Sequence, residues 1–240
     1  MIDAVEKGRG RDRRQPSREE NRRLLVSGAR LLGVSLNAGR TETFERFLNE
    51  LTKWNQRMNL TALREERSII VRHFLDSLTL VRHLPRGTSL LDIGSGAGFP
   101  GVPLKIARPD LQVVLLEASR KKTYFHKQVI RSINLSGIRS VWGRSDQGEI
   151  KTILGNRFDV VVSRALSPLD AFVKEAIHFV QTGGMIIAMR GRDDSVPIHP
   201  GSLGLTLYQK VSIDLPFDRV RRNLLFFRKS AVSGMSADRC

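Results

Sequence analysis

The spacing of apolar residues predicts that the first third of the chain is helical. Over residues 20–84 the apolar positions follow a helical period, and Thr41 precedes one run as a candidate N-cap. A second helix is predicted over residues 66–83 and stops at the turn signal of residues 85–87. The apolar positions concerned are Phe44, Phe47, Leu48, Leu51 and Trp54, then Ile70, Phe74, Leu75 and Leu78.

From residue 88 onward, short apolar runs alternate with amphipathic segments, which is typical of βαβ units and a parallel sheet. Strands are predicted at residues 89–93, 112–117, 138–142, 158–163 and 184–189. Helices are predicted between them at residues 101–107, 119–134 and 169–180. Two last runs, 205–215 and 223–228, have no helical pattern between them and should pair antiparallel.

This order of elements predicts an α/β fold of the class I S-adenosylmethionine-dependent methyltransferases. That fold is Rossmann-like, with a mostly parallel seven-stranded sheet and an antiparallel C-terminal hairpin. A dinucleotide-binding domain would continue with further βα units instead. The predicted divisions are a basic disordered tail over 1–23, a helical region over 24–87, a methyltransferase domain over 88–230 and a flexible tail over 231–240.

Composition narrows the choice of partner. With 40 Lys and Arg against 24 Asp and Glu, the chain of 240 residues has a formal charge of +16, which attracts a polyanion. Part of this excess lies in a predicted helix that contains Arg120, Lys121, Lys122, Lys127 and Arg131 without an acid among them. We therefore expect a nucleic-acid partner.

The single cysteine, Cys240, excludes an internal disulfide and a Cys/His metal cluster. No apolar run approaches the length of a membrane span, and the N-terminus has no apolar signal segment. These features predict a cytoplasmic protein with no resident metal and no membrane association.

Residues 89–101, SLLDIGSGAGFPG, contain the clearest candidate site. Alternating glycines let the backbone turn sharply out of a strand and approach a ligand closely. Asp92 with Gly94, Gly96 and Gly98 forms the D-x-G-x-G-x-G pattern of S-adenosylmethionine-dependent methyltransferases. A carboxylate ahead of the turn suits a cofactor that carries an ammonium and a sulfonium.

The same loop satisfies a second pattern. Gly96, Gly98 and Gly101 match G-x-G-x-x-G, and Glu117 lies near the distance at which a dinucleotide fold places its ribose acid. Asp92 opposes this alternative, because its carboxylate would repel a pyrophosphate.

Two further strand ends carry candidate cofactor contacts. Glu117 ends the second predicted strand, where a carboxylate can accept hydrogen bonds from both ribose hydroxyls. Asp146, with Ser145 before it, follows the third strand and is placed to accept from an adenine amino group. The alternatives are a surface acid at a strand end and an ordinary loop acid.

The segment after the fourth strand, residues 163–168, lacks the Asn or Asp followed by Pro-Pro and an aromatic that is typical of exocyclic amine methylation. Methylation of pyrimidine carbon needs a cysteine nucleophile, and Cys240 is not a credible one. Guanine N7 bears an in-plane lone pair and no proton, so it needs no general base, and the protein supplies proximity and alignment. Arg164 could hold the RNA, or it could pair with a nearby acid.

In the helical region, Arg72 and Asp76 are one helical turn apart and are expected to pair, while His73 and Asp76 share a face. A local ion pair without a catalytic role is the alternative.

Five motifs in this order resemble the bacterial family of small-subunit ribosomal RNA guanine-N7 methyltransferases, once called glucose-inhibited division protein B. The resemblance spans about residues 44–230. The motifs are WNQRMNLTAL, VRHFLDSL, LLDIGSGAGFPGVPL, EASRKKTYF and VVSRA.

The resemblance implies a monomeric S-adenosylmethionine-dependent enzyme that modifies one guanine of 16S ribosomal RNA, alone or in the small subunit. It implies cofactor contacts at Gly94, Phe99, Ser145 with Asp146, and Arg164, with Glu117 at the ribose. Arg190 stands where the family usually has lysine, and Asp146 stands where many relatives have Glu. No catalytic residue is assigned.

The remaining candidates have positioning or RNA-binding roles. Arg164, Arg190, His73 and Asp76 are positioning candidates, and the RNA-binding candidates are Arg72, Lys121, Lys122 and Arg190. Two alternative functions stay open on the residues alone, a nicotinamide-dependent oxidoreductase and a non-catalytic RNA-binding module.

Overall fold

A computed structural model describes residues 17–164, 168–191 and 203–230. The N-terminal helices are α1 (Arg18–Leu31), α2 (Ala38–Met58) and α3 (Glu66–Ile69), which continues through a π-helical segment (Ile70–Leu75) into α4 (Asp76–Leu78). A 3₁₀ turn (Val81–His83) follows. The later helices are α5 (Gly101–Ala107), α6 (Arg120–Ser132), α7 (Gly148–Leu154) and α8 (Leu169–Ala176).

Within the described residues, seven strands form one sheet. They are β1 (Ser89–Ile93), β2 (Gln112–Glu117), β3 (Ile138–Trp142), β4 (Phe158–Arg164), β5 (Val180–Arg190), β6 (Leu205–Asp214) and β7 (Arg221–Lys229). Their order is β3-β2-β1-β4-β5-β7-β6, with β1 to β5 parallel and β7 antiparallel to β5 and β6. The prediction of five parallel strands and an antiparallel terminal hairpin is confirmed.

Successive side chains of the central strands enter opposite cores, as the pleat requires. Leu90 of β1 packs with α2, the π-helical segment, α5 and α6, whereas its neighbour Leu91 packs against α7 and α8. From β1 the strand order runs outward to β3 on one side of the sheet, and it then continues from β4 on the other side of β1. Open α/β sheets bind ligands at the carboxyl ends of the strands where the order changes side in this way.

The helical region differs from the sequence prediction in three places. The helix α1 begins at Arg18 behind a capping box formed by Ser17 and Glu20, so residues 18–23 do not belong to the predicted tail. The residue that caps α2 is Asn37, whose side chain accepts from the Arg40 N–H, so Thr41 is wrong as the N-cap.

The predicted helix over residues 66–83 is continuous only to Leu78 and changes geometry within it. The hydrogen bonds of a π-helix span five residues rather than four. The predicted pairing of Arg72 with Asp76 is wrong, because Arg72 pairs with Asp218 and Asp76 with Arg164 and Arg222. The tails over residues 1–16 and 231–240 lie outside the described residues.

Candidate cofactor and methyl-transfer site

The glycine loop leaves β1 at the predicted position and crosses the carboxyl end of β2. Gly94 donates its backbone N–H to the carbonyl of Leu116 over 2.8 Å. Gly94, Gly96 and Gly98 have φ values of 68°, 59° and 95°, which side chains rarely permit. A Cβ at Gly98 would lie 2.7 Å from the Val102 side chain. The loop therefore requires glycine both for its backbone and for its packing.

Glu117 is buried at the end of β2 and holds the loop. Its Oε2 accepts the Gly96 N–H over 2.9 Å, and its Oε1 accepts the Ser119 N–H over 2.8 Å. Each carboxylate oxygen has two lone pairs, so both oxygens can still accept from a ligand. The predicted position of this acid at the sheet edge is confirmed.

His126 supports the loop from beneath, and the sequence analysis missed it. Its Nε2 lies 2.8 Å from the carbonyl of Gly96, which can only accept, so Nε2 carries the proton. Its Nδ1 then accepts from the hydroxyl of Ser140 over 3.0 Å. Burial lowers the pKa of His126 to about 4, which keeps the ring neutral. A histidine among the buried positions of an amphipathic helix is the sequence signal that would have indicated it.

A cavity of about 360 Å³ opens beside the loop. This size falls in the range of ligand sites in proteins. The residues that line it come from the glycine loop, the end of β2, α6, the loop after β3 and α8, and they include Gly94, Gly96, Glu117, Lys122, Arg144, Ser145, Asp146 and Glu175. The structure thus brings five predicted cofactor residues together and adds Lys122, which was predicted to bind RNA.

Glu175 and Asp146, two acids that line the cavity, already have partners within the protein. The Ser145 hydroxyl donates to a carboxylate oxygen of Glu175, a residue of α8 that the sequence analysis did not identify. Asp146 is half-exposed and pairs with Arg144 over 3.1 Å. Asp146 retains access to the cavity, so its predicted contact with an adenine amino group stays a prediction.

Asp92 does not line the cavity. Its side chain is fully buried under the loop, where Oδ2 accepts the Gly101 N–H over 2.9 Å at the start of α5. The second oxygen, Oδ1, has no hydrogen-bond partner among the described residues. Burial raises the pKa of this carboxyl to about 7. The structure therefore assigns Asp92 to the support of the loop.

A buried charge cluster lies next to the loop, where β4 ends. Asp76 accepts from Arg222 Nε over 2.8 Å through Oδ1 and from Arg164 over 3.3 Å through Oδ2. The Arg164 guanidinium also donates to the carbonyl of Arg72 over 3.0 Å. Arg72 directs its own side chain to Asp218 in the turn between β6 and β7, over 2.7 Å. The two partners of Asp76 come from β4 and β7, far from it in sequence.

His73 completes this cluster, and its shared face with Asp76 is confirmed because both contact Arg164. The His73 Nδ1 lies 3.0 Å from Arg164, and its Nε2 lies 2.7 Å from the hydroxyl of Thr61. Burial and the charge of Arg164 lower the pKa of His73 to about 3. The neutral ring stacks on Phe99, with 4.4 Å between centroids, and the Arg164 guanidinium lies 5.1 Å from the Phe99 ring centroid. These contacts connect the helical region to the glycine loop.

The other predicted RNA contacts lie apart from the cavity. Lys121 is exposed on α6, and Arg190 ends β5 half-buried. Among the described residues, no group of three His, Cys, Asp or Glu side chains is arranged to hold a metal ion. Within the same ranges, no helix combines the length and the apolar character of a membrane span.

The site fits S-adenosylmethionine in three respects. The glycines expose backbone at the strand end, Glu117 has acceptor capacity for two ribose hydroxyls, and the cavity runs from the loop to the residues after β3. The fold and this site define a class I methyltransferase. Solved structures share the fold: a SAM dependent methyltransferase from Aquifex aeolicus has a TM-score of 0.51 at 14% identity, covering 67% of this chain and 92% of that one. The complex of M. jannaschii TYW2 with AdoMet has a TM-score of 0.52 at 14% identity, over 64% of this chain and 74% of that chain.

Sequence comparison identifies the family. Residues 40–223 match the GidB family, described as rRNA small subunit methyltransferase G. The Ribosomal RNA small subunit methyltransferase G of Caldanaerobacter subterraneus is 37% identical over 213 residues, which cover 86% of this chain and 89% of the relative. The protein of the same name from Chromobacterium violaceum is 43% identical over 167 residues, covering 70% and 78% of the two chains. This chain belongs to the GidB family, and the predicted resemblance is confirmed.

Proposed function

We propose that this protein transfers a methyl group from S-adenosylmethionine to N7 of a guanine in 16S ribosomal RNA. The observation that carries the proposal is the cavity between the glycine loop and Glu117, in a chain of the GidB family. The small-subunit rRNA is the substrate named by the family description. The choice of N7 rests on the sequence after β4, which lacks the motif of amine methylation, and on the family resemblance.

S-adenosylmethionine would supply an electrophilic methyl group, which guanine N7 can attack with its lone pair while the carbon–sulfur bond breaks. Glu117 would accept hydrogen bonds from the ribose hydroxyls and so fix the position of the cofactor along the cavity. The cluster of Arg164, His73 and Asp76 would hold Phe99 and the end of the glycine loop in place. Because N7 carries no proton, none of these residues has to act as a general base.

Several finer points belong to the same proposal. We expect the protein to act as a monomer in the cytoplasm and without a metal ion. The formal charge of +16 supports an RNA substrate, since phosphate neutralisation provides most of the affinity of such complexes.

The test is a methylation assay with labelled S-adenosylmethionine and 16S rRNA from cells that lack this activity. We expect one labelled 7-methylguanosine after digestion to nucleosides. Label on adenine or a pyrimidine, or no label on naked RNA and on small subunits alike, would overturn the proposal. Thermal shift addresses the oxidoreductase alternative, because a bound ligand raises the melting temperature. Stabilisation by NAD but not by S-adenosylhomocysteine would favour that alternative.

A further inference from the structure

The exposed face of α6 carries basic and aromatic side chains at helical spacing. Arg120, Tyr124, Lys127 and Arg131 recur at intervals of three or four residues, about one helical turn, and all four are exposed. No acidic residue occurs anywhere from residue 119 to residue 134. Phosphates are attracted to such a face, whose tyrosine also offers an aromatic surface.

Trp142 extends this face beyond the helix. It ends β3, which is an edge strand of the sheet, and 49% of the residue is exposed. Its indole N–H donates to the carbonyl of Ala118 over 2.9 Å, which fixes the ring. The Arg120 guanidinium lies 4.1 Å from the ring centroid. A tryptophan that is both half-exposed and held in one orientation is preorganised for a planar ligand.

Tyr124 occupies a matching position one turn along α6. It is 51% exposed, and its ring meets Trp54 of α2 edge-on with 5.8 Å between centroids. Single exposed aromatic residues are common on proteins and need no explanation. Here two of them share a face with an arginine that stacks on one ring, and the helix carries five cations, Arg120, Lys121, Lys122, Lys127 and Arg131. Alternation of aromatic planes and cations is the chemistry that binds single-stranded nucleic acid.

The surface borders the cofactor cavity. Ala118, which accepts the Trp142 hydrogen bond, lines the cavity, and so does Gly143, the residue after Trp142. An RNA strand on this face would therefore pass beside the site. Trp, Tyr and Arg are also enriched in protein interfaces, but lysine is depleted there, and a helix with five cations and no acid favours a polyanion.

We propose that Trp142, Arg120 and Tyr124 form a stacking surface for unpaired bases of the rRNA substrate, beside the cofactor cavity. This inference rests on the proposed function, since it assumes an RNA substrate. It assigns base contacts to the aromatic residues. Lys121 was predicted to bind RNA, and the exposed Lys127 of the same helix is assigned a phosphate contact as well.

Trp142 can report on its own contact. The chain has two tryptophans, and Trp54→Phe leaves Trp142 as the only one. We expect the fluorescence of this variant to be quenched by a single-stranded 12-nucleotide adenine RNA and by 16S rRNA, because a stacked base quenches indole emission. A 12-base-pair RNA duplex should quench much less at equal occupancy, because its bases are already stacked. Equal quenching by duplex and single strand would overturn the stacking contact.

Matched variants separate stacking from charge. Both Trp142→Phe and Trp142→Leu lose the hydrogen bond to Ala118, but only phenylalanine keeps an aromatic plane. We expect leucine to weaken binding of the adenine RNA about tenfold and phenylalanine about threefold or less. The slope of log affinity against log salt should be unchanged in both, whereas Lys127→Ala should reduce it by about one. Binding of S-adenosylhomocysteine should be equal in the two Trp142 variants.

The outcomes distinguish this inference from the proposed function. If the wild type methylates 16S rRNA but the leucine variant binds RNA as tightly as phenylalanine, only the stacking surface is wrong. If the wild type neither binds nor methylates rRNA, the proposed function fails. Quenching by small subunits but by neither RNA would show that unpaired bases do not stack on this surface and would overturn the inference.

Discussion

At the scale of single residues, the site depends on how many hydrogen bonds Glu117 can accept. Two backbone N–H groups already occupy one lone pair on each oxygen, and the remaining lone pairs match the two hydroxyls of a ribose. The protein donors fix the carboxylate before a ligand arrives. Preorganisation of this kind lowers the entropic cost of binding.

We expect Glu117→Gln to weaken S-adenosylhomocysteine binding by about 1.5–3 kcal/mol, or roughly 10- to 100-fold. The new amide NH₂ would face the N–H of Gly96 or of Ser119, and two donors cannot bond to each other. Calorimetric titration measures the loss. Asp146→Asn is the comparison, and its effect should be smaller because Asp146 is half-exposed and paired with Arg144.

RNA affinity of the Glu117→Gln protein without cofactor should equal that of the wild type. An equal loss of affinity for RNA and for S-adenosylhomocysteine would mean that Glu117 supports the whole fold of the site and does not contact the ribose.

At the scale of elements, the position of the glycine loop depends on the close packing of α5 against β1 and β2. Gly101 begins α5 with an ordinary negative φ, so its backbone tolerates any residue. The surrounding side chains leave no room for a side chain, because a Cβ at Gly101 would lie 2.3 Å from Leu115 Cδ2 and 3.0 Å from Asp92 Oδ2. Gly101 matches the third glycine of the dinucleotide pattern, but the structure accounts for it by helix packing.

Gly101→Ala should therefore lower the free energy of unfolding by about 1–3 kcal/mol, through overpacking. Gly148→Ala is the matched control, since Gly148 also begins a helix and a Cβ there would meet nothing within 4 Å. Urea unfolding of both variants measures the difference. A control variant as unstable as Gly101→Ala would show that the loss comes from backbone entropy or from helix initiation.

The strands were easier to predict than the helices for a physical reason. Most of the parallel strands are buried on both faces, so their apolar runs mark them in sequence, and β1 and β2 match the predicted ranges. The edge strand β3 also matches its range, although only Ile138 of it is buried. The seven-residue α7 was missed because only Ile150 and Leu154 of it are buried, too few to show a period. The π-helical geometry also leaves no sequence signal, since Phe74 and Leu75 would face the core of either kind of helix.

At the scale of the whole molecule, buried titratable groups couple stability to pH. His73 and His126 have folded-state pKa values of about 3 and about 4, below the ordinary value of 6.5. At a pH between the folded-state pKa and 6.5, each histidine is protonated in the unfolded chain and neutral in the folded protein. The free energy of unfolding therefore rises with pH for each histidine. Asp92 has the opposite effect, because its folded-state pKa of about 7 lies above the ordinary 3.8. Its ionisation on unfolding makes the fold less stable as pH rises.

For the ligand-free protein we expect the free energy of unfolding to rise between pH 4.5 and 6.5. Two histidines oppose one carboxyl, so the net slope near pH 5 is close to one proton, or about 1.4 kcal/mol per pH unit. It decreases toward pH 6.5, where the histidines of the unfolded chain are half deprotonated. Burial also lowers the pKa of His83 and of His178, which adds in the same direction. Urea titrations across this range measure the slope.

The variant Asp92→Asn isolates the carboxyl. It removes the opposing term, so the slope should increase by about 1.4 kcal/mol per pH unit. Above pH 7 the variant should also be more stable than the wild type, because it no longer buries an unpaired charge. An unchanged slope would mean that Asp92 is ionised and hydrated in the folded protein.

The sequence by itself determined those features whose cause is local. The glycine loop needs positive φ, the buried strands need apolar runs, and a family is recognisable from short motifs in order, so the class I fold and the GidB family were predicted correctly. The tertiary structure alone decided which charges meet. Asp76 pairs with Arg222 and Arg72 with Asp218, both across 146 residues. Spacing along the chain carries no information about such partners, because they are set by how the sheet and the helices pack. For the same reason, only the fold showed that Asp92 lies beneath the loop and that Lys122 faces the cavity.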